Sequence, residues 1–503
     1  MNHQNRDARI LRRIALILSC SALLSSAVSL SACQNPDPPA ETLPVGTAEP
    51  ETLPDLTDDR EPTDLTEYAD RLNTLFAETP VSPESDFTFE SAEDGMIVTG
   101  YTGGDMVVVI PDTLGGSPVV GVAEGAFADQ TSLKALSIPN TVRTVGKGAL
   151  KGCKELTSLR TPVFTCPDAP WFGALFGAQT YEINGSQVPA KLSTLVITEG
   201  VGNDETDGVT VPDYCFYACR GLEVVSLPAT TAALGNFAFY GCEGLVCINT
   251  EYTALVTVGQ KAFTNCRALL NLSLPDTVLA MGFAMLEGCS KLETLTIPFV
   301  GGYSADLQYA LTEEEKQAIK KGEMTDPDDT RYLGYLFGAS VYSFTEGYLP
   351  DSLITVTLLD ACKTIPANAF FECSSVRCFV LPEGVTTIER RAFYGCEAMG
   401  AVEIPDSVIT VGDDAFSGCI RMTAFDGGES LSELGIQAFL DCVSLKTVTL
   451  PATVTHLPNS CFAGCVSLET LTAEGVKTQG KQVFRNCPKL SGWDRNGETT
   501  TKP

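Results

Sequence analysis

Apolar and polar positions along the chain follow a short unit that repeats. From about Asp86 onward this unit reads L-x-x-L-x-[IL]-P-x-x-V-x-x-[VIL]-G-x-x-A-F-x-x-C-x-x. Its cysteine recurs mostly every 23 positions, for example at Cys419 and Cys442 (442 − 419 = 23). A fixed period in the twenties is typical of a solenoid, in which each repeat forms one coil of a stack.

The unit itself predicts how each coil folds. The last two apolar positions of L-x-x-L-x-I alternate like a β-strand with one buried face. Proline ends that strand because it has no N–H group to donate to a ladder. Glycine then permits a turn, and Phe fills the interior. Because one coil cannot bury its own apolar face, we expect the coils to stack and their strands to form a parallel sheet.

Two gaps in the cysteine spacing indicate inserts. The spacing grows to 66 between Cys153 and Cys219 (219 − 153) and to 84 between Cys289 and Cys373 (373 − 289). Both gaps contain a related G-x-L-F-G-A segment, which predicts two similar lobes at about 163–190 and 299–351. Each lobe precedes a further strand, which brings the total to about fourteen strands. In the second gap, Thr312 and Glu315 fit a capping box that opens a short helix over 313–321.

The N-terminal part of the chain does not carry the repeat. Four Arg residues precede an apolar run at 14–30 that is short for a membrane span, and "LSAC" ends it at Cys33. This resembles a bacterial lipobox, so we expect a lipoprotein signal peptide at 1–32 and lipidation of Cys33. An ordinary secretory signal or an uncleaved anchor is the alternative.

Further domain boundaries follow from composition. Residues 33–67 are rich in Pro, Thr and acidic residues, which predicts a disordered stalk. Residues 68–85 predict a short helix and N-terminal cap, 86–493 the repeat array, and 494–503 a disordered tail.

Charge excludes one class of partner. The chain contains 33 Lys and Arg against 63 Asp and Glu, a formal net charge of −30. A field of this sign repels phosphate backbones, so we expect no nucleic-acid binding. Anionic bilayers are repelled for the same reason, which leaves membrane attachment to the lipid on Cys33.

The repeated cysteines raise the question of chemistry. Stacked thiols lie about 5 Å apart, but their parallel Cβ vectors suit disulfides poorly, and one thiol per coil does not converge on a metal. Gln130 occupies the same position in the first copy, which indicates that a thiol is dispensable there. We therefore expect small buried core thiols. Disulfides remain open for the local pairs Cys215/Cys219 and Cys461/Cys465.

Other candidate chemistry is sparse. The only histidine after the predicted signal peptide, His456, is five residues from Cys461, but Cys461 occupies the core-facing Ala position of the unit. Acidic loops at 202–208 and 326–329 have the oxygen ligands that calcium prefers but not the spacing of an EF-hand. We expect no catalytic residues, no metal site and no cofactor.

Two surfaces are candidates for binding. The first is the outward row of the strands, in which small hydroxyl residues dominate: Ser137, Arg160, Val196, Ser226, Asn249, Ser273, Thr296, Thr357, Val380, Glu403, Asp426, Thr449 and Thr472. The second is a set of insert aromatics: Trp171, Phe172, Tyr332 and Tyr335. These aromatics alternatively serve only to pack the lobes onto the array.

The unit, with its AF-x-x-C element and LFGA inserts, closely resembles the BspA-like (Treponema-type) leucine-rich repeats of bacterial surface proteins. The resemblance covers roughly residues 86–493. It implies a leucine-rich-repeat solenoid of the β-rich α/β class, with short parallel strands stacked in a curved right-handed array and two inserted lobes. It also implies a cell-surface or secreted binding protein, often linked to adhesion and host contact, without enzymatic activity.

These observations lead to one functional hypothesis and two rivals. We expect a lipid-anchored, non-catalytic surface protein of a bacterium, or alternatively a secreted one, that binds a protein or glycan on another cell or in the matrix. The first rival is a structural surface-layer protein without a specific ligand. The second is a hydrolase that uses carboxylates of the inserts.

Overall fold

The computed structural model describes residues 74–200, 208–304 and 327–493. Predictions for the signal peptide, Cys33, the stalk, the helix at 313–321, most of the acidic loops and the tail fall outside these residues. Within them the chain forms a parallel-strand β-solenoid, as the repeat predicts.

The first row of strands contains the L-x-L-x-[IL] part of each coil. All its neighbouring strands are parallel, and they form three sheets of six, five and three strands. The row consists of β3 (Val107–Val109), β6 (Ala135–Ser137), β8 (Ser158–Thr161), β9 (Thr194–Ile197), β11 (Val224–Ser226), β13 (Cys247–Ile248), β15 (Asn271–Ser273), β17 (Thr294–Ile297), β18 (Thr355–Leu358), β20 (Cys378–Val380), β22 (Ala401–Val402), β24 (Ala424–Asp426), β26 (Thr447–Thr449) and β28 (Thr470–Thr472). β9 and β18 are the strands predicted after the two inserts.

A second row of short strands lies after the proline of each unit. Its members are β7 (Thr144–Val145), β10 (Val209–Val211), β12 (Thr231–Leu234), β14 (Thr257–Val258), β16 (Ala280–Met281), β19 (Thr364–Ile365), β21 (Thr387–Ile388), β23 (Thr410–Val411), β25 (Glu433–Leu434), β27 (His456–Leu457) and β29 (Thr478–Gln479). The row is interrupted at both inserts, between β7 and β10 and between β16 and β19.

The first coil differs from the others because it begins with an antiparallel hairpin. β1 (Phe87–Ala92) pairs with β2 (Gly95–Tyr101), which continues in parallel to β5 (Ser117–Val122) and from there to β7. β4 (Thr113–Leu114) turns back against β5. The hairpin therefore extends the second row beyond β5 and places β1 at its N-terminal edge.

In the described residues, helical structure is short and occurs in the N-terminal segment, the inserts and single turns. Residues 74–78 are helical, and α1 (Asn184–Gln187) and α2 (Gly334–Phe337) lie in the two inserts. Single 3-10 turns occur at Glu84–Asp86, Phe172–Phe176, Tyr181–Ile183, Thr250–Tyr252, Pro327–Thr330 and Tyr342–Gly347.

Stacked Phe rings run through the core. In the C-terminal coils the ring of Phe393 lies 5.2 Å from Phe416 at an interplanar angle of 3°, and Phe416 lies 5.4 Å from Phe439. The stack ends at Trp493, whose ring is 5.4 Å from Phe484. The Phe rings are fully buried between neighbouring coils, whereas Trp493 at the end is partly exposed, so no single coil can hold its core alone.

The AF-x-x-C turn uses two left-handed backbone positions. One directly precedes the Ala and the other directly precedes the Cys, as at Asp414 (φ 54°) and Gly418 (φ 77°). Non-glycine residues fill many of these positions, among them Ala218 (φ 56°) and Gln437 (φ 58°). Each such residue costs about 1 kcal/mol or more, which the packing of the neighbouring coils must offset.

Candidate binding surfaces

The predicted outward row of the first strands forms one line in the structure. Neighbouring members face each other directly in the sheet register, as Ser137, Arg160, Val196 and Ser226 do on β6, β8, β9 and β11. The same register relates Ser273, Thr296, Thr357 and Val380, and then Asp426, Thr449 and Thr472. Asn249 and Glu403 directly follow β13 and β22.

Exposure increases along this line towards the C-terminus. Ser137 and Val196 are buried, and the positions from Ser226 to Thr357 are half-buried. The side chain of Asn249 is already used within the stack, because it accepts from the Leu227 N–H and donates to the Leu227 carbonyl. The exposed part of the line therefore consists of Val380, Glu403, Asp426, Thr449 and Thr472. We call these five residues the open strand face.

The N-terminal segment covers the other end of the line. Phe76 packs on Ala135 and Val196 and is only 8% exposed. Ser82 fixes the path of this segment, since its N–H donates to the Val109 carbonyl at 3.0 Å and its hydroxyl accepts from the Val109 N–H at 3.2 Å. Sequence reasoning missed this cover, because it depends on the path of a segment that precedes the repeats.

The insert aromatics occupy two kinds of position. The Trp171 Nε1–H donates to the Ala178 carbonyl at 3.2 Å, and the Tyr332 hydroxyl donates to the Ala339 carbonyl at 2.8 Å. Each bond closes the LFGA turn of its own lobe, seven residues downstream. Phe172 is fully buried, and its ring lies 5.1 Å from the core ring of Phe216.

Among the four insert aromatics, only Trp171 and Tyr335 are half-exposed. Phe172 and Tyr332 are therefore buried side chains that stabilise the lobes, and they expose little surface to a binding partner.

Aromatic side chains also stack on the outer side of the AF-x-x-C turns, and the sequence pattern did not predict these stacks. Tyr181 of the first lobe lies 4.3 Å from Tyr214, which stacks on Phe237 at 4.9 Å and 3°. Beside them Tyr217 stacks on Tyr240 at 5.1 Å and 4°. The signal in the sequence is the Tyr that follows Phe in "CFYAC" and "AFYGC".

A similar arrangement follows the second lobe. The Tyr342 ring lies 5.1 Å from Phe371, and Phe371 stacks on Tyr394 at 4.9 Å and 7°. The Arg391 guanidinium lies 5.8 Å from the centre of the Tyr394 ring. Each lobe thus begins a short row of surface aromatics on the coils that follow it.

A cleft of about 700 Å³ lies where the second lobe meets the second row of strands. Phe283, Tyr303 and Tyr335 line it, together with Gln260 and Asp329. All three rings are half-buried. The cleft brings a predicted insert aromatic, Tyr335, together with residues of the coils at β14 and β16.

The repeated thiols are hydrogen-bond donors rather than only small apolar groups. The Cys419 thiol donates to the Phe393 carbonyl of the preceding coil at 3.2 Å, and the Cys442 thiol donates to the Phe416 carbonyl at 3.1 Å. The same bond is made by Cys153, Cys242, Cys266, Cys289, Cys396, Cys465 and Cys487. It is not found, among the described residues, for Cys219 and Cys373, which follow the inserts.

Burial makes these thiols poor nucleophiles. It raises the pKa of Cys242 and of Cys289 to about 12. The pairs Cys215/Cys219 and Cys461/Cys465 are free thiols. Burial is the main cause that raises the pKa of Cys215, Cys219 and Cys461, whereas for Cys465 the interaction with the Cys442 thiol raises the pKa most and burial adds to it. Since the thiolate is the reactive form, these buried cysteines are structural residues.

The remaining candidate groups are not brought together. His456 is exposed on β27, where its Nδ1 lies 2.8 Å from the Thr478 hydroxyl, whereas Cys461 is buried in the core. No group of three His, Cys, Asp or Glu side chains within 74–200, 208–304 and 327–493 is arranged to hold a metal ion. In the same ranges, no helix is both long and apolar enough to cross a bilayer.

Several solved leucine-rich-repeat structures are similar to the chain. One is a leucine-rich-repeat protein of T. pallidum, with 16% identity, coverage of 82% of this chain and 91% of that chain, and a TM-score of 0.22. Another comes from Bacteroides ovatus, with 18% identity, 82% and 93% coverage, and a TM-score of 0.32. A leucine-rich cell surface protein of Faecalibacterium prausnitzii has 20% identity, 79% and 96% coverage, and a TM-score of 0.28.

Sequence comparison gives the stronger result. No curated protein sequence matches the chain significantly. However, six copies of the BspA type leucine-rich repeat region match at residues 117–166, 209–301 and 352–491. These ranges make up more than half of the chain and coincide with the stacked coils on both sides of the inserts. The chain therefore belongs to the BspA-type leucine-rich-repeat family.

Proposed function

We propose that this protein is a non-catalytic binding module of a bacterial cell surface, which mediates adhesion by contacting a protein or glycan on another cell or in the matrix. The open strand face carries this proposal. Asp426, Thr449 and Thr472 of this face stand in register on paired strands, and all five residues remain exposed where the N-terminal segment does not reach.

Binding on such a face rests on the rigidity of the scaffold. Because each coil is fixed by its neighbours, a partner that contacts Glu403, Asp426, Thr449 and Thr472 orders little of the protein when it binds. Many modest contacts over several coils can then add up to a stable complex. The rows of surface aromatics that begin at Tyr181 and Tyr342 extend the available contact area on a different side of the coils.

Attachment to the membrane is part of the proposal. A net charge of −30 opposes electrostatic binding to anionic lipids, so the protein needs a covalent anchor. The lipobox-like sequence at Cys33 supplies one, since two or more acyl chains hold a protein stably at about 0.8 kcal/mol per buried CH₂. The Pro-rich acidic segment at 33–67 would carry the array away from the bilayer.

Mass spectrometry of the mature N-terminus tests the anchor. The proposal expects an acylated Cys33 as the first residue. An unmodified terminus at another position would refute the lipid anchor without affecting the binding proposal.

A test of binding uses the chain without residues 1–33 on arrays of matrix proteins and glycans. We expect a captured partner to bind at least about tenfold more weakly when Thr449→Arg and Thr472→Arg place long cations on the open strand face. The matched control is Thr387→Arg with Thr410→Arg on the second row, which should leave binding unchanged.

The same experiment separates the rival functions. Capture of no partner by the unmodified chain would favour a structural surface-layer protein. The hydrolase hypothesis requires two carboxylates in one cleft, whereas among the described residues that line the 700 Å³ cleft Asp329 supplies one. Hydrolysis of an arrayed glycan would contradict the non-catalytic proposal.

A further inference from the structure

The cleft at the second lobe is built by backbone pairing on two sides. On one side residues 302–304 run antiparallel to β16, with the Met281 N–H donating to the Gly302 carbonyl at 2.7 Å and a bridge between Ala280 and Tyr303. On the other side α2 is held to the AF-x-x-C turn by a hydrogen bond from the Ala284 N–H to the Tyr335 carbonyl at 3.0 Å. These bonds fix the backbone of Tyr303 and of Tyr335 at the cleft.

The rings in the cleft form a corner. The Phe283 and Tyr335 rings lie 5.3 Å apart at 65°, and the Tyr332 ring meets Tyr335 at 6.3 Å and 86°. Burial raises the pKa of Tyr332 and of Tyr335 to about 12, so both phenols stay neutral at physiological pH, and the Tyr332 hydroxyl is engaged by the Ala339 carbonyl. The corner therefore offers apolar ring surface beside hydroxyl groups.

The first lobe shows that the fold does not need these rings. In the alignment of the two lobes, Tyr335 corresponds to Ala174, and Phe283 of the preceding coil corresponds to Lys147. The first lobe nevertheless packs its LFGA turn onto the array with the same backbone bond, from the Gly148 N–H to the Ala174 carbonyl at 2.7 Å. Aromatic rings at the second lobe are thus additions to the repeat, and they face a cleft rather than the core.

The polar lining narrows the ligand chemistry. Gln260 and Ser340 are exposed at the cleft, and Asp329 adds one carboxylate. Among the described residues that line the cleft there is no Lys, Arg or His. An anionic ligand would meet the Asp329 carboxylate and a protein of negative net charge, and none of the described lining residues compensates that charge.

We propose that this cleft binds a neutral oligosaccharide, whose ring C–H groups pack on Phe283, Tyr303 and Tyr335 and whose hydroxyls bond to Gln260, Ser340 and Asp329. This inference rests on the proposed binding function and names a ligand class for it. The volume of about 700 Å³ suits a chain of a few sugar rings and lies within the usual range of ligand sites, about 300–1,000 Å³. A compact quaternary ammonium ion is the competing ligand, since it also favours aromatic rings beside a carboxylate.

Titration calorimetry on the full chain in detergent tests the proposal with defined probes. These are the tetrasaccharides of glucose in β-1,4 and α-1,4 linkage, of mannose and of N-acetylglucosamine, with choline as the cationic probe. We expect at least one tetrasaccharide to bind, and Tyr335→Ala and Phe283→Lys each to weaken it by about tenfold or more. Both variants copy residues of the first lobe, so the fold should tolerate them.

The matched control is Phe344→Ala, which removes a 57% exposed ring of the same lobe that does not line the cleft. It should bind the tetrasaccharide as the unmodified chain does. Binding of no tetrasaccharide, binding of choline alone, or equal binding by both cleft variants would each overturn the proposal. If Tyr335→Ala still captures a partner on the arrays, the proposed binding function stands without the oligosaccharide site. If the unmodified chain captures no partner, both the binding function and the oligosaccharide site are refuted.

Discussion

The side-chain amide of Gln130 donates a hydrogen bond of 2.9 Å to the backbone carbonyl of Tyr101. Gln130 occupies the Cys position of the first AF-x-x-C turn, and Tyr101 occupies the Phe position of the coil before it. The bond is therefore the counterpart of the one from Cys419 to the Phe393 carbonyl. The repeat thus keeps a side-chain donor to the carbonyl of the preceding coil at this position, and at Phe393 this bond adds to the one from the Cys396 N–H at 3.3 Å.

Substitution of a cysteine of the AF-x-x-C turns tests this role. We expect Cys419→Ala to destabilise the array by about 1 kcal/mol, because it removes the thiol donor and leaves the Phe393 carbonyl with the Cys396 N–H as its remaining donor, and Cys419→Ser to cost less, because its hydroxyl still donates. At Cys373, which makes no such bond within the described residues, the order should reverse and Ser should cost more than Ala. Urea unfolding of the four variants measures the order. If Ser cost more than Ala at both sites, the thiols would act only as apolar groups.

A steep loss of stability at alkaline pH follows from the raised pKa values. Burial raises the pKa of Cys242 and Cys289 from 9.0 to about 12, so above pH 9 the unfolded chain loses protons that the folded chain retains. The stabilisation is complete below about pH 9 and declines by about 1.4 kcal/mol per thiol and pH unit up to about pH 12. Urea midpoints at pH 8, 9 and 10 should fall accordingly. Cys242→Ser with Cys289→Ser should make the decline shallower, and a flat profile would contradict the burial of the thiols.

The sequence predicts the coils well because periodicity reports burial directly. The alternation in each unit placed β9 and β18 after the inserts, and the outward row from Ser273 to Val380 is in the predicted register. By contrast, the prediction of small buried core thiols is confirmed, but it does not include the hydrogen bonds that these thiols donate. A thiol is both a small apolar group and a weak donor, and the substitution by Gln130 was interpreted as dispensability although it preserves a donor.

The binding surfaces were harder to predict for a different reason. Ser137 belongs to the outward row by pattern, yet it is 3% exposed because the N-terminal segment lies over the first strands. Phe172 and Tyr335 looked alike as insert aromatics, but one packs in the core and the other lines the cleft. Such differences depend on how non-repeated segments fold over the repeats, which a local pattern does not encode.

Relief of backbone strain should stabilise the array. Ala218 holds a left-handed conformation (φ 56°) directly before Cys219, where the next coil has Gly241 (φ 70°). We expect Ala218→Gly to raise the free energy of unfolding by about 0.5–1 kcal/mol, because glycine adopts this conformation without steric cost. Ala254→Gly, at an exposed turn without positive φ, is the control and should destabilise by a similar amount. Thermal unfolding of both variants checks the prediction, and a loss of stability in Ala218→Gly would count against strain at this turn.

Removal of the Phe76 ring should open the covered end of the strand row. Phe76 is the buried side chain by which the N-terminal segment contacts Ala135 and Val196, so Phe76→Ala should loosen the hydrogen bonds between Ser82 and Val109. We expect the amide hydrogens of these two residues to exchange at least about tenfold faster, because local opening then costs less. Val81→Ala, which trims a 59% exposed side chain of the same segment, is the control and should leave exchange unchanged. Exchange measured by mass spectrometry on peptides containing residues 82 and 109 decides the point. Unchanged protection in Phe76→Ala would mean that backbone bonds alone hold the segment over Ser137. Removal of the ring would then not add the covered strands to the exposed surface of the open strand face.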